Sequence, residues 1–418
     1  MKANALAILI CALFPISASA SLKDNNIESR LNEIERRLAQ QPGTGFVNSS
    51  DSKNNLKFYG DVEFDFDAAS HTGRLTSNKH AQGFWGEGNN ERLNIGGRIL
   101  LGFDGKREMA DGHYAGFSVQ PLAKVNGEMG LDDAAFYFGE TKNWQIKAGR
   151  FEAWDMFAFN QDTFIEHSGN TANDLYSDGY GYIYMMKEGR GRSKNGGNLL
   201  VNKEWDNWYF EVNTVLEDGS ALFADGSYHG YKLENRKNSL RMRPVLAWRG
   251  ENVTVAAGME SNLMRNAWGY HDTRGQWVDQ SRRTGYGLTM KWLAAQPDPR
   301  DNLVMNFNAA MLDAKDERDL SLGANGLWRD IELGYIFAHN KIDKLNPAAF
   351  GGAGPWLTKP GSYNIHTLHA SWKLPDMLQM DNFAIYLGGY ASVINSEMAD
   401  NSHSDPRYGA RLRMKYHF

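Results

Sequence analysis

The last stretch of the chain, residues 406–418, alternates between apolar and basic side chains. Successive side chains of a β-strand point to opposite faces, so this stretch predicts a strand with one apolar and one cationic face. The apolar parity carries Tyr408, Ala410, Leu412, Met414, Tyr416 and Phe418, and the other parity carries Arg407, Arg411, Arg413, Lys415 and His417. A lipid-facing Arg or Lys near the bilayer midplane costs about 2–4 kcal/mol, which directs the basic face towards a wet lumen. The pattern fits the closing strand of a transmembrane β-barrel, although a two-layer soluble sheet gives the same alternation.

Comparable alternating runs follow one another from Lys57 to the end of the chain, without a segment of helical periodicity of useful length. The first run, from Phe58 to Ala68, is apolar on one parity and mainly acidic on the other. We count about seventeen runs, whereas a closed bacterial barrel needs an even number of strands. The sequence therefore predicts an all-β fold, a transmembrane antiparallel β-barrel of about 18 strands with one unrecognised strand between residues 151 and 197. The alternative is about 16 strands, if residues 180–187 do not form a strand.

The connections between the runs alternate between short turns and long loops, as at the two ends of an outer-membrane barrel. The long connections are 69–90, 151–179, 218–236, 264–282 and 340–361. If the short turns are periplasmic, these outward aromatic residues all lie near the periplasmic strand ends: Phe58, Phe103, Trp144, Trp208, Trp248, Trp292, Trp328, Phe383 and Phe418. An aromatic girdle at one membrane interface explains this placement, and a soluble sandwich offers no reason for it.

Three segments precede the barrel, which we place at residues 57–418. Lys2, an apolar stretch and a small-residue end predict a signal peptide over residues 1–20. A heptad seam follows at Ile27, Leu31, Ile34 and Leu38. It predicts a periplasmic coiled-coil helix over residues 21–41 that favours three or four strands, and thus a homotrimer. An ordinary amphipathic helix on a domain surface is the alternative, and residues 42–56 form a polar spacer.

Composition narrows the possible functions of this 418-residue chain. Outside the first twenty residues, no apolar run is long enough for a membrane-spanning helix, which does not exclude barrel strands. The formal net charge of −5 gives no argument for nucleic acid as a partner. The single cysteine, Cys11, lies in the predicted signal peptide, so a disulfide framework, a cysteine metal site and a cysteine nucleophile are excluded from the mature chain. We expect no cofactor.

Residues of inward parity form the predicted lumen wall. They are Tyr59, Asp61, Glu63, Asp65, Arg92, Arg98, Lys124, Arg241, Arg243, Arg249, Arg411 and Arg413. In a closed barrel the first and last strands pair, which predicts that Asp61, Glu63 and Asp65 neighbour Lys415, Arg413 and Arg411. Opposite charges across strands stabilise a sheet by about 0.2–1 kcal/mol per pair. We therefore interpret most of these residues as closing ladder or solvated wall, and only a few as solute contacts.

The combined layout resembles the sugar-specific porins of the outer membrane, most closely the raffinose-porin (glycoporin) family, and is similar to sucrose porin and maltoporin. It consists of a signal peptide, a short periplasmic coiled coil, a barrel of this size and a C-terminal Phe. The local match is K-A-G-R-F, Lys147 to Phe151, running into the aromatic and acidic segment E-A-W-D-M-F-A-F-N-Q-D. The resemblance implies a water-filled channel for passive or facilitated diffusion of ions and carbohydrates, with outer-membrane lipid around it.

The segment after Phe151 looks like the third, inward-folded loop that narrows such channels. Its candidate constriction and sugar-binding residues are Trp154, Asp155, Phe157, Phe159, Gln161 and Asp162. Long loops concentrate function, and aromatic faces with polar groups suit sugars. The competing interpretation is a hydrophobic plug that only packs the loop against the wall.

Two other functions are considered beside the sugar channel. A general diffusion porin without sugar preference would share the fold and most of the wall. An outer-membrane hydrolase is suggested by Glu166, His167 and Ser168, but adjacent residues rarely face each other as base and nucleophile, and the chain contains no Gly-x-Ser-x-Gly elbow. The sequence therefore predicts a channel and not an enzyme.

Overall fold

The computed structural model describes residues 49–51, 54–70, 92–161, 163, 183–193, 195–223, 227–344, 346, 360–396 and 404–418. The chain divides into two units, Met1–Ala39 and Gln40–Phe418, and the described residues all belong to the second. The predicted signal peptide and coiled-coil helix lie outside the described residues, as do Asp162 and residues 166–168. The signal peptide and the coiled-coil helix stay predictions.

The described residues contain sixteen long strands. The first eight are β1 (Asn54–Ala69), β2 (Arg92–Glu108), β3 (His113–Lys124), β4 (Met129–Glu140), β5 (Trp144–Arg150), β6 (Gly197–Trp205), β7 (Trp208–Glu217) and β8 (Ser239–Arg249). The second eight are β9 (Val253–Asn262), β10 (Arg283–Ala294), β11 (Leu303–Ala314), β12 (Glu317–Trp328), β13 (Ile331–Ile342), β14 (Gly361–Leu374), β15 (Phe383–Ser396) and β16 (Ser404–His417). A short strand, Ser49–Asp51, pairs with the start of β1.

Each long strand pairs antiparallel with the next one in the chain, and β16 pairs with β1. The sheet is thus a closed barrel of sixteen strands, and the alternative strand number is the one confirmed. The count of eighteen is wrong because the described part of 180–187, Ile183 to Lys187, is not a strand. Its residues are buried on the inner side of the barrel wall, so their apolar content reflects packing and not a lipid-facing strand.

The outer surface carries the apolar parity of the strands, as the alternation predicts. Lipid-facing side chains such as Leu199, Leu288 and Leu333 are about half exposed in the isolated chain. The aromatic residues gather near the short turns: Phe58 faces Phe103 with ring centroids 5.0 Å apart, and Trp208 faces Trp248 across β7 and β8. Among the described residues, no helix combines the length and apolar character needed to cross a membrane.

The closing seam between β1 and β16 is a ladder of opposite charges. Glu63 accepts from Lys415 at 2.6 Å, Asp65 from Arg413 at 2.5 Å and Asp67 from Arg411 at 2.5 Å. The predicted ladder is therefore present, but the predicted register is wrong by two residues, because Asp61 lies opposite His417 and Glu63 opposite Lys415. A shift of two residues keeps every side chain on its face and still sets Asp61, Glu63 and Asp65 opposite basic residues, so the charge pattern alone does not fix the register.

The register of the seam can be measured by double-mutant cycles that reverse both members of a pair. Asp67 and Arg411 are joined by two hydrogen bonds of 2.5 and 3.0 Å and are largely buried. Reversing either charge should therefore destabilise the barrel by about 3 kcal/mol, and reversing both should restore part of the loss. Unfolding in denaturant, monitored by the heat-modifiable migration of the barrel on gels, gives the free energies of unfolding of each variant. Asp65 with Arg411 serves as the control pair, and stronger coupling there would support the register expected from the sequence instead.

Candidate functional site

The long connection between β5 and β6 enters the barrel instead of leaving it. Its first arm runs from Phe151 to Gln161 and its return arm from Ile183 to Ser193. The two arms meet where Glu152 bridges to Gly191 and the Arg192 amide donates to the Phe151 carbonyl at 3.0 Å. The described part of this connection is therefore an inward loop, as the family resemblance implies.

Polar groups of the barrel wall hold the first arm along its length. The Trp154 amide donates to Glu211 Oε1 on β7 at 3.0 Å, and Asn308 of β11 donates to the Ala158 carbonyl at 2.8 Å. At the far end, Gln161 Nε2 donates to Ser371 Oγ of β14 at 2.8 Å. The arm thus follows the inner wall from β7 to β14 and occupies lumen on that side.

The apolar side of the first arm packs on small residues of the wall. Met156 and Phe157 are fully buried. A Cβ added to Gly323 of β12 would lie 2.8 Å from Phe157 Cζ, and one added to Gly287 of β10 would lie 3.3 Å from Met156 Cε. These glycines create the space in which the loop packs. Phe157 therefore presents no accessible ring face to a solute. It was predicted to stack on sugar, but it anchors the loop to the wall, as the interpretation of this segment as a hydrophobic plug expects.

The other described candidates of the loop are only half buried. The Trp154 ring lies 5.1 Å from the Tyr209 ring of β7, and the guanidinium of Arg249 lies 5.2 Å from the first ring and 4.7 Å from the second. We call Trp154, Tyr209 and Arg249 the aromatic platform. Further along the arm, Phe159 packs edge-on against His369 of β14 at 5.4 Å.

Asp155 lies between the two arms of the loop. Its Oδ1 accepts from the Phe157 amide at 3.0 Å, and its Oδ2 lies 3.5 Å from Arg190 of the return arm. Burial by itself would raise the pKa of Asp155, but the charges of Arg190 and Lys187 outweigh burial and lower that pKa below its ordinary value. Asp155 is therefore ionised at neutral pH and contributes to the contact between the arms.

A buried acid on β9 holds the return arm. Glu260 accepts from Tyr184 Oη at 2.5 Å and from the Gly189 amide at 2.8 Å. Its Oε2 lies 3.6 Å from Nε of the fully buried Arg243, which also donates to the Trp154 carbonyl of the first arm at 2.8 Å. Glu260 and Arg243, the loop clamp, thus connect both arms to the wall. Sequence reasoning placed Arg243 on the wall but missed Glu260, whose only signal is a carboxylate at inward parity.

The predicted wall residues that the structure describes are paired with opposite charges or polar groups. Arg98 lies 3.2 Å from Glu63 and 3.6 Å from Asp61, and Tyr59 Oη donates to Asp104 at 3.1 Å. Arg241 pairs with Glu217 and Arg249 with Glu204. Lys124 lies at a strand end and is half exposed, with Glu128 of the next turn 2.9 Å away. The Arg92 side chain lies outside the described residues.

Across the described residues, no group of three or more His, Cys, Asp or Glu is arranged to hold a metal ion. The inward loop and the paired wall charges are the main features of the described lumen.

Comparison with known proteins gives a family match and a set of similar folds. A family model described as porin-like glycoporin RafY matches residues 58–418. Among solved structures, Pseudomonas putida OprB at high pH has 11% identity and a TM-score of 0.55, covering 87% of this chain and 94% of that chain. The outer-membrane channel DcaP of Acinetobacter baumannii has 11% identity and a TM-score of 0.53, covering 88% and 99%.

A third solved structure is the trimer form of OmpT, an outer membrane protein of Vibrio cholerae. It has 10% identity and a TM-score of 0.51, covering 88% of this chain and 100% of that chain. Identities this low support the fold alone. No curated protein matches the chain.

The loop clamp can be tested by replacing Glu260 with Gln. The amide nitrogen of Gln cannot accept from the Gly189 amide, and Glu211 is then the charged partner that Arg243 keeps among the described residues of the wall. Losing these buried contacts should cost about 1–3 kcal/mol of the free energy that holds the loop. Both arms should therefore loosen, which should raise the open conductance and the current noise of single channels. Glu128→Gln, on an exposed turn, is the matched control. Unchanged conductance and noise in Glu260→Gln would mean that apolar packing alone holds the loop.

Proposed function

This chain belongs to the porin-like glycoporin RafY family, and we propose that its outer-membrane diffusion channel conducts carbohydrates, chiefly neutral oligosaccharides, into the periplasm. The porin class follows from the family and the barrel, and the family description itself suggests sugar as the solute. The chemistry of the lumen supports this proposal in two ways.

The aromatic platform is the observation that carries the proposal. Trp154 on the inward loop presents a half-buried ring that is backed by the buried ring of Tyr209 on β7, and the guanidinium of Arg249 is close to both. A sugar ring has an apolar face that gains from leaving water, and hydroxyl groups that accept from a guanidinium. This combination suits a sugar better than a small inorganic ion, which has no apolar face to bury.

The pairing of the wall charges also favours a neutral solute. Arg98, Arg411 and Arg413 each lie within ion-pair distance of an acid on β1. Neighbouring opposite charges largely cancel each other's field at a distance, while their remaining donors and acceptors still reach hydroxyl groups. The wall thus offers hydrogen bonds without a large net field of one sign.

We expect sugar binding in the channel to be weak, because a channel that holds its solute tightly does not pass it. The channel needs no catalytic step, and the family gives no support to the hydrolase alternative. Its suggested residues, Glu166, His167 and Ser168, lie outside the described part of the chain. Diffusion along the concentration gradient is therefore the proposed mode of transport.

Subunit association is a second part of the proposal, and a homotrimer is the state that we propose. The outer surface near the extracellular ends of β2 and β4 is strongly apolar, with Leu93, Ile95 and Met129 exposed by 74%, 61% and 75%. Burial of such a surface against other copies of the chain would stabilise an oligomer. The trimer form of Vibrio cholerae OmpT and the predicted heptad at residues 21–41 also support it.

The sugar proposal predicts that Trp154→Ala weakens the reversible block of ion current by di- and trisaccharides by about fivefold. Trp154→Phe should retain part of the block, since a smaller ring still covers the sugar face. Trp205→Ala is the control, because Trp205 ends β6 beside the periplasmic turn and is 42% exposed. If the wild-type channel shows no sugar block, the general diffusion porin is the better description. If the wild-type channel shows sugar block and Trp154→Ala leaves that block intact, the sugar binds elsewhere in the lumen.

The trimer proposal predicts different effects for the same substitution on two faces. Ile95→Arg on β2 should convert the trimer to monomers, whereas Leu333→Arg on β13, at a similarly exposed position, should not. Ile95 and Leu333 each lie two residues from a border of the apolar band, where an Arg facing lipid costs about 0–1 kcal/mol, so the comparison isolates the interface. Crosslinking and native mass spectrometry measure the state. A monomeric wild type ends the proposal, and deletion of residues 21–41 shows whether the heptad contributes.

A further inference from the structure

Three basic residues lie on the outer surface at the same distance from the periplasmic girdle. Arg282 is ten residues from Trp292, Arg318 is ten from Trp328, and Lys341 is ten from Ile331, the cross-strand partner of Trp328. Because side chains an even number of residues apart on a strand point to the same face, each basic side chain points outward, as does the residue ten positions away. Ten residues rise about 33 Å along a strand, which a tilt of about 40° reduces to about 25 Å along the membrane normal. That is the height of the apolar band of an outer-membrane barrel, so the three residues lie at its extracellular border.

The same height is apolar on another side of the barrel. The positions ten residues from Phe58, Phe103, Phe383 and Phe418 are Ala68, Leu93, Val393 and Tyr408. Leu93 is 74% exposed and Tyr408 65% exposed, so both face outward. The extracellular border of the barrel thus has a charged side at β10 to β13, where three basic residues surround Asp313 of β11, and an apolar side around the seam.

The basic side chains are only loosely compensated. Arg282 and Arg318 lie 3.5 and 3.7 Å from Asp313, and Lys341 lies 3.8 Å from Asp343. These distances exceed the length of a good N–H···O hydrogen bond, about 2.7–3.2 Å. Arg318 and Lys341 are also direct cross-strand partners, and like charges in that position destabilise a sheet. Such a pair becomes favourable when an anion is bound between its members.

We propose that Arg282, Arg318 and Lys341 form a binding belt for the phosphate groups of lipids in the outer leaflet. Their side chains are exposed by 64%, 69% and 52%, and can reach a headgroup at the membrane border. Below the belt, Met311, Leu320 and Leu322 offer an apolar strip to the acyl chains. Arg binds a phosphate through two parallel hydrogen bonds, and Lys adds a point charge. The belt faces away from the lumen, so this inference does not depend on the solute of the channel.

The probe for the belt is lipid A, a phosphorylated lipid, titrated onto delipidated protein in neutral detergent and followed by native mass spectrometry. A variant that replaces all three belt residues with Gln should bind lipid A at least about tenfold more weakly, since each basic residue near an anionic surface contributes about fivefold. The control variant replaces Lys142, Arg300 and Arg329 with Gln, which removes the same charge from exposed periplasmic turns. Channel conductance confirms that each variant is folded.

Three comparisons decide the outcome. Dephosphorylated lipid A should bind the wild type as weakly as lipid A binds the belt variant, because the acyl chains alone remain. Inorganic phosphate should not displace the lipid, since it lacks the contact with the apolar strip. Equal loss in the belt and control variants would show non-specific attraction and overturn the proposal. A change of oligomeric state in the belt variant would assign the belt to a contact between copies of the chain, and would also overturn it.

Discussion

The structure depends first on the requirement that every backbone N–H and C=O inside a bilayer has a partner within the protein. A sheet in lipid meets this requirement only when it closes, and here closure occurs where β16 pairs with β1. The charged ladder of that seam assists the closure from the lumen side, because Asp65 and Asp67 each hold an arginine of the last strand. The apolar residues of the same two strands face the lipid. One alternating pattern therefore serves the membrane and the seam together.

Closure creates an enclosed lumen, and burial in that lumen imposes a second requirement. A buried charge is costly unless a partner of opposite charge or a hydrogen bond compensates it. The barrel meets this requirement by using charged residues as connectors: Arg243 and Glu260 hold the two arms of the inward loop, and Arg190 lies between Glu152 and Asp155. Most of the predicted wall charges are therefore paired, and they produce little electric field of one sign in the lumen. The lumen therefore offers aromatic and hydrogen-bonding groups, which is the chemical basis for proposing a neutral sugar as the solute.

The outer surface has two sides with different chemistry at the extracellular border. Around the seam the border is apolar, with Leu93 and Tyr408 exposed, whereas β10 to β13 carry Arg282, Arg318 and Lys341. A barrel surrounded uniformly by the same lipid has no reason to differ in this way. The difference is physically consistent with a chain that meets copies of itself on one side and anionic lipid headgroups on the other.

The sequence by itself determined which face of each strand is apolar, where the aromatic girdle lies and which two strands carry the opposite charges of the closing seam. These features depend on period-two alternation and on local composition, which a strand expresses wherever it is placed. Only the tertiary structure decided the strand number, the register of the seam, the burial of Phe157 and the clamp formed by Glu260. Phe157 packs at Gly323, and Asn160 meets Glu332 at a separation of 172 residues along the chain. Such contacts depend on which surfaces face each other after closure, and local periodicity carries no information about that.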